Sequence, residues 1–307
     1  MIITMPETTA SAVAKRLIKL REDGGAVALG RVLTLIIVAH ESTFEEAVEA
    51  ANDASREHPC RILVIAPEPE ATTNRLDAEI RVGGDAGASE VIILRPSPVV
   101  AEHPDTLVTA LLLPDAPIVV WWPHEFPDSP ANDLVGSMAK IRITDALRNA
   151  DPVESLKTLR SHHQPGDIDL AWTRVTVWRG LLAATLDQAP FESVTEAVVE
   201  GDESHPSVDL LAAWLAQRLR CPVKIARQTS ANAITKVILR RKSGEIVLER
   251  PDGRIATLSQ PGQPAHRIAL PVRELRECLS EELRRLDPDD VYGEVLSKGL
   301  ARVEVTA

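Results

Sequence analysis

Apolar residues in the first half of the chain alternate between short continuous runs and amphipathic stretches. Residues 32–39 are almost continuously apolar, which is typical of a strand buried on both faces of a sheet. Residues 44–57 follow a helical period and have Glu45 and Glu46 in the first turn, which favours a helix. Further strands are predicted at 61–66, 78–82, 90–94, 117–122 and 140–144, and further helices at 9–21, 104–113, 134–138 and 153–160. This alternation predicts a three-layer α/β domain with a mostly parallel, Rossmann-like sheet.

After residue 191 the pattern changes to closely spaced strands. These are predicted at 194–200, 223–228, 233–241, 245–250 and 254–258, with a helix at 207–219. The turns at 242–244 and 251–253 contain glycine and are short, so they indicate antiparallel hairpins. Two later helices, at 272–285 and 289–298, are expected to cover one face of the sheet. The second half is therefore predicted to be an α+β domain with an antiparallel meander and helices.

The stretch 161–167 contains proline and glycine and is predicted to be a linker. It sets the predicted domain boundary, with the α/β domain at 1–166 and the α+β domain at 167–307. The segment that follows predicts one junction helix, with Asp167 or Asp169 as its N-cap.

The junction helix concentrates tryptophan and arginine in a chain whose aromatic content is only 3%. Four such residues occur close together: Trp172, Arg174, Trp178 and Arg179. Tryptophan and arginine often dominate the binding energy of protein interfaces, because both bring a large contact area with fixed donors. One hypothesis is therefore a partner-binding surface. The alternative is that the tryptophans fill a core at the domain junction and the arginines reach past them to water.

The same residues carry a family resemblance. The pattern Asp-x-x-Trp-x-Arg from Asp169 to Arg174, followed by Trp178-Arg179, resembles the OpcA family of glucose-6-phosphate dehydrogenase assembly proteins of actinobacteria and cyanobacteria. The resemblance extends over nearly the whole chain, through the segments 30–35, 121–123, 142–145 and 276–279. It implies a non-catalytic helper that binds glucose-6-phosphate dehydrogenase, favours its active assembled form and so supports NADPH supply by the pentose phosphate pathway.

Composition and charge narrow the class of partner. The 307 residues are 44% hydrophobic and 26% charged, as in globular proteins. Acidic residues outnumber basic ones by 45 to 34, and this net charge of −11 argues against nucleic acid or an anionic membrane as partner. The N-terminus lacks the features of a signal peptide, and the longest apolar run is too short to span a bilayer. We therefore expect a cytoplasmic protein.

A second candidate site follows from the predicted parallel sheet. Open α/β sheets bind ligands at the carboxyl ends of their strands, and His40, Arg95 and Asp145 each follow a predicted strand. Arg95 and the histidines at these strand ends suit a phosphosugar, so the alternative function is a sugar-phosphate-binding enzyme or sensor. His40 and His124 could instead cap strand ends and form hydrogen bonds to loops. The same rim holds three further candidate partner-binding residues: Trp121, Trp122 and His124.

Several segments resemble catalytic or cofactor-binding motifs, but the residues and predicted elements around them do not fit those motifs. Gly25 and Gly30 have the spacing of a phosphate-binding loop, but Arg31 and Val32 replace its lysine and hydroxyl residue. The glycine-rich stretch 83–89 lies between two predicted strands and opens no helix. His162 and His163 have no further His, Cys or carboxylate residue at the short spacings usual for metal ligands. The sequence also contains no nucleophile elbow and no zinc-protease motif. We therefore expect no catalytic residues, no metal and no cofactor. A passive scaffold is the third hypothesis.

Overall fold

The apolar run after residue 32 forms a central strand of an eight-stranded sheet in the computed structural model, which describes residues 1–23, 32–83 and 90–306. The strands are β1 (Ile2–Met5), β2 (Leu33–Val38), β3 (Cys60–Ile65), β4 (Leu76–Arg81), β5 (Glu90–Pro96), β6 (Ile118–Trp121), β7 (Ile141–Thr144) and β8 (Asp167–Asp169). Their order is β1-β4-β5-β3-β2-β6-β7-β8. All pairs from β5 to β7 are parallel, whereas β1 and β4 add antiparallel strands. The predicted mostly parallel, Rossmann-like sheet is confirmed.

Helices cover both faces of this sheet. They are α1 (Ala10–Asp23), α2 (Phe44–Ser55), α3 (Pro104–Thr109) and, much later in the chain, α8 (Leu275–Arg284). Val13 of α1 and Val108 of α3 lie in the same core cluster as Ile36 of β2, whose side chain points to one face of the sheet. The alternate residues of β2 point to the other face, where α2 lies against the sheet and packs with α8. The predicted three layers are therefore present.

The second sheet has seven strands and is mixed. Its strands are β9 (Glu196–Asp202), β10 (Val223–Gln228), β11 (Ile234–Arg241), β12 (Gly244–Glu249), β13 (Ile255–Ser259), β14 (His266–Ala269) and β15 (Val303–Thr306). They are ordered β14-β13-β12-β11-β9-β10-β15. The meander from β11 to β14 is antiparallel, whereas β10 runs parallel to both β9 and β15. The predicted α+β fold with an antiparallel meander is confirmed.

Five helices accompany this sheet: α4 (Pro152–His162), α5 (Leu170–Thr173), α6 (Thr176–Leu186), α7 (Pro206–Leu219) and α9 (Asp290–Glu294). A π-helical stretch, Val295–Gly299, follows α9. Short 3-10 turns lie at Val100–Glu102, Pro130–Asn132, Gly136–Met138, Ala146–Arg148 and Leu300–Arg302.

The described residues group into two units that are not contiguous in sequence. Unit 1 comprises Met1–Thr144, Gly166–Ile168 and Leu275–Pro288, and unit 2 comprises Asp145–Pro165, Asp169–Glu274 and Asp289–Ala307. The single boundary after residue 166 stays a prediction.

Several predicted elements differ from the structure. The helix expected to cover the second sheet at 272–285 is α8, which belongs to unit 1, because its apolar stripe of Cys278, Leu279 and Leu283 is buried and it packs with α2. The stretch predicted as a linker contains the end of α4 and the start of β8. Strands β1, β14 and β15 lie outside the predicted elements; β1 and β14 contain no fully buried residue, so neither has the apolar run that predicts the central strands.

A buried ion pair joins two parallel strands of unit 1. Arg61 of β3 and Glu90 of β5 are register partners, and the guanidinium Nε donates to Glu90 Oε2 over 2.8 Å. Both side chains are almost fully buried. A buried charge that loses its partner is strongly destabilising.

Glu90→Ala should therefore lower the free energy of unfolding by about 3–5 kcal/mol, because Arg61 would keep its charge without a counter-ion. Urea unfolding followed by circular dichroism measures the change. Glu154→Ala is the matched control, since the Glu154–Lys157 pair is exposed and should contribute less than about 1 kcal/mol. Equal losses for the two variants would contradict the prediction.

Candidate functional site

The tryptophan and arginine segment forms two helices, α5 and α6, separated by a break at Arg174 and Val175. The single junction helix predicted from the sequence is wrong in this respect. Thr173, Val175 and Thr176 surround the break, and β-branched residues lose side-chain freedom in a helix. The helix is interrupted at this point, and α6 begins at Thr176.

Asp169 fixes the start of the segment. Its side chain is the N-cap of α5 and accepts from the backbone N–H of Ala171 over 2.8 Å, which confirms one of the two predicted caps. The second carboxylate oxygen accepts from the N–H of Ala146, also over 2.8 Å. The other predicted cap, Asp167, instead pairs with Arg142 in unit 1.

Trp172 is buried, with 1% of its surface exposed, and both its ring and its indole N–H have contact partners. The indole Nε1 donates to Asp289 Oδ2 over 2.9 Å. The guanidinium carbon of Arg179 lies 3.6 Å from the centre of the indole ring, a close cation–π contact. Tyr292 packs against the same ring with centroids 6.0 Å apart. Trp172 thus joins α5 to α6 and to the start of α9.

Arg174 forms a bidentate ion pair with Asp145. Nη1 and Nη2 each donate to one carboxylate oxygen over 2.7 Å, and Asp145 has no exposed surface. Replacing Arg174 by alanine would leave that carboxylate buried without its cation, at a cost of about 3–5 kcal/mol. The Arg174 side chain is therefore held by an ion pair within unit 2.

Trp178 of α6 is buried beside a second arginine. The guanidinium carbon of Arg250 lies 5.1 Å from the centre of its ring. Both residues line a small cavity together with Arg174, His205 and Arg273. Burial lowers the pKa of His205 to about 4, and the positive charges of Arg174 and Arg250 act in the same direction. His205 is therefore neutral at pH 7.

The outer face of α6 is apolar and exposed. Four exposed positions lie on adjacent stripes of the helix: Val177, Gly180, Ala183 and Ala184. Arg179 is the one charged residue in the α6 sequence. Phe191, a few residues after the helix, is 81% exposed. An exposed, uncharged helix face of this kind is a candidate protein-binding surface.

The strand-end residues of unit 1 are already paired with carboxylates. The order of the parallel strands reverses between β2 and β6, which is the place where such sheets bind ligands. His40 follows β2, and its Nε2 lies 3.0 Å from Oε2 of Glu125 in the loop after β6. Arg95 donates through Nε to Glu41 Oε1 over 2.8 Å. The third crevice candidate, Asp145, lies in unit 2 with Arg174.

The remaining rim candidates are largely internal to unit 1. Trp121 and Trp122 are both buried, and Trp122 is part of the core cluster around Ile36. The indole N–H of Trp121 has no hydrogen-bond partner among the described residues. His124 is half-buried. The partner-binding role of these residues stays a prediction.

The two glycine stretches weighed in the sequence, 25–32 and 83–89, lie outside the described residues except for Val32 and Gly83. Among the residues that are described, no three His, Cys, Asp or Glu side chains are grouped so as to hold a metal ion. None of the helices in the described ranges is long and apolar enough to cross a membrane.

Two family models match this chain in order. One describes the N-terminal domain of the glucose-6-phosphate dehydrogenase subunit and matches residues 51–161, and the other describes the C-terminal domain of the same subunit and matches residues 165–296. The chain belongs to the OpcA family of glucose-6-phosphate dehydrogenase assembly proteins. The resemblance inferred from the motifs is confirmed, and Asp169, Trp172, Arg174 and Arg179 all lie within the C-terminal match.

A relative from Synechococcus elongatus, the OxPP cycle protein OpcA, is 28% identical over 186 residues. The match covers 55% of this chain and 41% of that relative, so it spans less than half of the relative's length.

Comparison with solved structures finds weak similarity that extends over most of the chain. An NAD binding oxidoreductase from Klebsiella pneumoniae has a TM-score of 0.45 at 8% identity, covering 89% of this chain and 96% of that chain. Myo-inositol dehydrogenase from Lactobacillus casei has a TM-score of 0.40 at 8% identity, covering 88% of this chain and 93% of that chain. At these scores the likeness carries no functional argument.

Sequence reasoning missed His205 and Arg250 as parts of the site. His205 precedes Pro206 at the start of α7, where it caps the helix by accepting from the N–H of Ser207. A residue before a helix-opening proline is a recognisable cap position. Arg250 gave no such signal, because only the fold brings the end of β12 beside Trp178.

Acid should destabilise the protein through His205. Its folded pKa of about 4 lies below the ordinary value of 6.5, so the unfolded state takes up a proton first as the pH falls. The stabilising contribution of neutral His205 is complete above about pH 6.5 and is lost towards pH 4, a loss of about 3 kcal/mol. His205→Asn keeps a capping acceptor and should flatten this part of the stability profile. Urea unfolding between about pH 7 and about pH 4.5 tests the slope, and identical slopes for both proteins would refute the assignment.

Proposed function

We propose that this protein is a non-catalytic accessory protein that binds glucose-6-phosphate dehydrogenase and promotes its active oligomeric form. The observation that carries the proposal is the match to both domains of the glucose-6-phosphate dehydrogenase subunit, in order along one chain. The name of the Synechococcus relative supports a place in the OxPP cycle, the oxidative pentose phosphate pathway. The protein would then support NADPH supply in the cytoplasm.

A helper of this kind acts through differential affinity. It binds the active assembled state of the enzyme more tightly than the inactive state, and the equilibrium shifts by the difference between the two binding free energies. A difference of about 1–3 kcal/mol changes the ratio of active to inactive enzyme roughly 5-fold to 150-fold. No catalytic group is needed on the helper.

The docking surface in this proposal is the exposed face of α6, defined by Val177, Gly180, Ala183 and Ala184. The centre of a protein interface is apolar and depleted in charge, and this face has that character. Arg179 lies at its edge, held over Trp172, where a cation typically contributes to specificity and binding energy.

The predicted tryptophans have an indirect role in this proposal. Trp172 and Trp178 are buried, so they hold α6 in place and do not themselves contact the partner. Arg174 acts in the same way through its pair with Asp145. Of the four motif residues after Asp169, Arg179 is then the one that contacts the dehydrogenase directly.

The contacts at the strand ends weigh against the alternative function. His40 and Arg95 are the side chains that would hold a sugar phosphate there, and each has a carboxylate within 3.0 Å. A phosphate would have to displace Glu125 and Glu41, against like-charge repulsion. We therefore favour the accessory protein over a sugar-phosphate enzyme or sensor in unit 1.

Titration of the purified protein into glucose-6-phosphate dehydrogenase tests the proposed function. We expect altered enzyme kinetics and a larger assembly in solution, because the helper stabilises the assembled state. Mass photometry and initial-rate assays at matched concentrations measure both effects. A complex that leaves the kinetics unchanged would indicate a passive scaffold, and no complex at all would refute the proposal.

Gly180→Glu should separate docking from folding. A Cβ at Gly180 would meet no atom within 4 Å, the position is exposed, and replacing a helical glycine removes an entropic cost, so the variant should melt no lower than wild type. It should bind the dehydrogenase at least about tenfold more weakly, because a carboxylate would be buried at the centre of the interface.

Two controls accompany this variant. Gly180→Ala should raise stability by about 0.5–1 kcal/mol and leave binding intact. Ser161→Glu adds the same charge at an exposed position of α4 and should also bind normally. Normal binding by Gly180→Glu would eliminate the α6 face as the docking surface, while leaving the accessory function itself open to other faces.

A further inference from the structure

The helix α7 ends in an arginine with an unusual backbone conformation. Arg220 is the C-cap of this helix and lies in the left-handed region, at φ 55° and ψ 34°, where its backbone N–H donates to the oxygen of Ala216. Glycine is the usual residue at such a helix end, because a Cβ makes the left-handed conformation less favourable. Residues held in such conformations are concentrated at functional sites, so the surroundings of the exposed Arg220 side chain are informative.

Arg220 lines an open depression on the surface of unit 2. The volume of this depression is about 730 Å³, which falls in the usual range for small-molecule sites of roughly 300–1,000 Å³. Its wall consists of the last turn of α7, the two residues before β10, the end of α9 and Arg302 before β15. All of these segments belong to unit 2.

Positive charge is concentrated in this depression. Three arginines line it, Arg218, Arg220 and Arg302, together with one carboxylate, Glu294. Oε2 of Glu294 lies 3.9 Å from Nη2 of Arg218 and accepts from Nε2 of Gln217 over 3.1 Å. The side chains of Arg220 and Arg302 form no ion pair and no hydrogen bond with the residues that the structure describes. Their donors are therefore available to a ligand.

The fold accounts for only part of this charge. The C-terminus of a helix carries roughly half a negative charge, so the end of α7 and Glu294 together offset fewer than two of the three arginines. The chain as a whole is acidic, with a net charge of −11, so a generally basic composition does not explain the cluster. The excess of positive charge in a concave place favours an anionic ligand.

The lining of the depression narrows the class of anion. Guanidinium groups match phosphoryl groups in bidentate geometry, and three guanidinium groups offer more donors than a single phosphate can accept. The described residues of the wall include no aromatic ring, so a nucleobase would find no stacking partner. A small molecule recognised through several phosphoryl groups therefore fits better than one recognised through a base.

We propose that this depression binds a small molecule that carries two or more phosphoryl groups, with Arg220 and Arg302 as the principal counter-charges. The chemistry is shared by inorganic pyrophosphate, by a sugar bisphosphate and by the phosphate chain of a nucleotide. The site belongs to the isolated protein, so it does not depend on the proposed function in dehydrogenase assembly.

Calorimetric titration of the full chain with sodium pyrophosphate, at about 0.15 M salt and without divalent metal ions, tests the site. We expect saturable binding of one pyrophosphate per chain, at least about tenfold tighter than that of inorganic phosphate. Arg302→Gln should weaken pyrophosphate binding at least about tenfold, because it removes a charge-assisted donor. Arg267→Gln is the matched control, since Arg267 is exposed on β14, at the opposite edge of the same sheet from β15. This control should bind like wild type.

Two further variants separate recognition from folding. Arg220→Gly places the favoured residue in the left-handed position, so it should melt at a higher temperature than wild type and yet bind pyrophosphate at least about tenfold more weakly. Glu294→Gln removes the opposing charge, while its amide oxygen can still accept from Gln217. It should bind pyrophosphate about twofold tighter or more, and weaker binding would contradict the electrostatic basis of the site.

Comparison of ligands identifies the source of the phosphoryl groups. Fructose 1,6-bisphosphate or ATP binding like pyrophosphate would show that the phosphoryl groups alone are recognised, whereas tighter binding would show that the rest of that ligand is also held, and both support the proposal. Citrate, an anion without phosphorus, would overturn the phosphoryl assignment by binding as tightly as pyrophosphate. Absence of saturable binding, or unchanged binding by both Arg220→Gly and Arg302→Gln, would overturn the site.

Discussion

The ion pair between Arg174 and Asp145 is the interaction on which unit 2 most depends. Two charges removed from water cost several kcal/mol each, and only close bidentate geometry with further hydrogen bonds offsets that cost. The pair meets the requirement with two donors at 2.7 Å to a carboxylate that is fully buried. Arg174 lies at the break between α5 and α6, so the pair holds the chain just before α6 begins. Trp178, two residues into that helix, is buried, and Gly180 is exposed.

The same pair determines the electrostatics beside α6. Asp145 pairs with Arg174, and the positive charge of Arg174 still acts on His205 together with that of Arg250. His205 responds to the same field, since burial and the nearby positive charges both favour its neutral form. The acid sensitivity expected of His205 therefore originates in its burial beside these two arginines.

Hydrophobic periodicity predicted the strands well because their signals are local. Residues 32–39 read as a doubly buried strand, and β2 occupies the middle of a parallel sheet. The failures involve contacts that are distant in sequence. The amphipathic stripe on α8 indicates that it packs against something, but the partner is α2, more than two hundred positions earlier. The cavity likewise combines residues near 174, 205, 250 and 273, and no local pattern connects them. Trp172 and Trp178 are buried, which is the alternative that the sequence left open. A sequence indicates that a tryptophan needs a large contact surface, but it does not indicate whether the chain itself or a partner supplies that surface.

This distribution of roles changes how the tryptophan and arginine motif relates to function. Trp172, Arg174 and Trp178 are bound to partners within unit 2, so a substitution at any of them alters stability and the position of α6 together. Loss of activity in such a variant does not distinguish a docking residue from a structural one. Substitutions at Val177, Gly180 and Ala184, which lie beside the motif, can make that distinction. These residues are exposed to solvent and contribute little to the core. A family signature can therefore mark the scaffold of an interface while the contact surface lies on residues with no distinctive chemistry of their own.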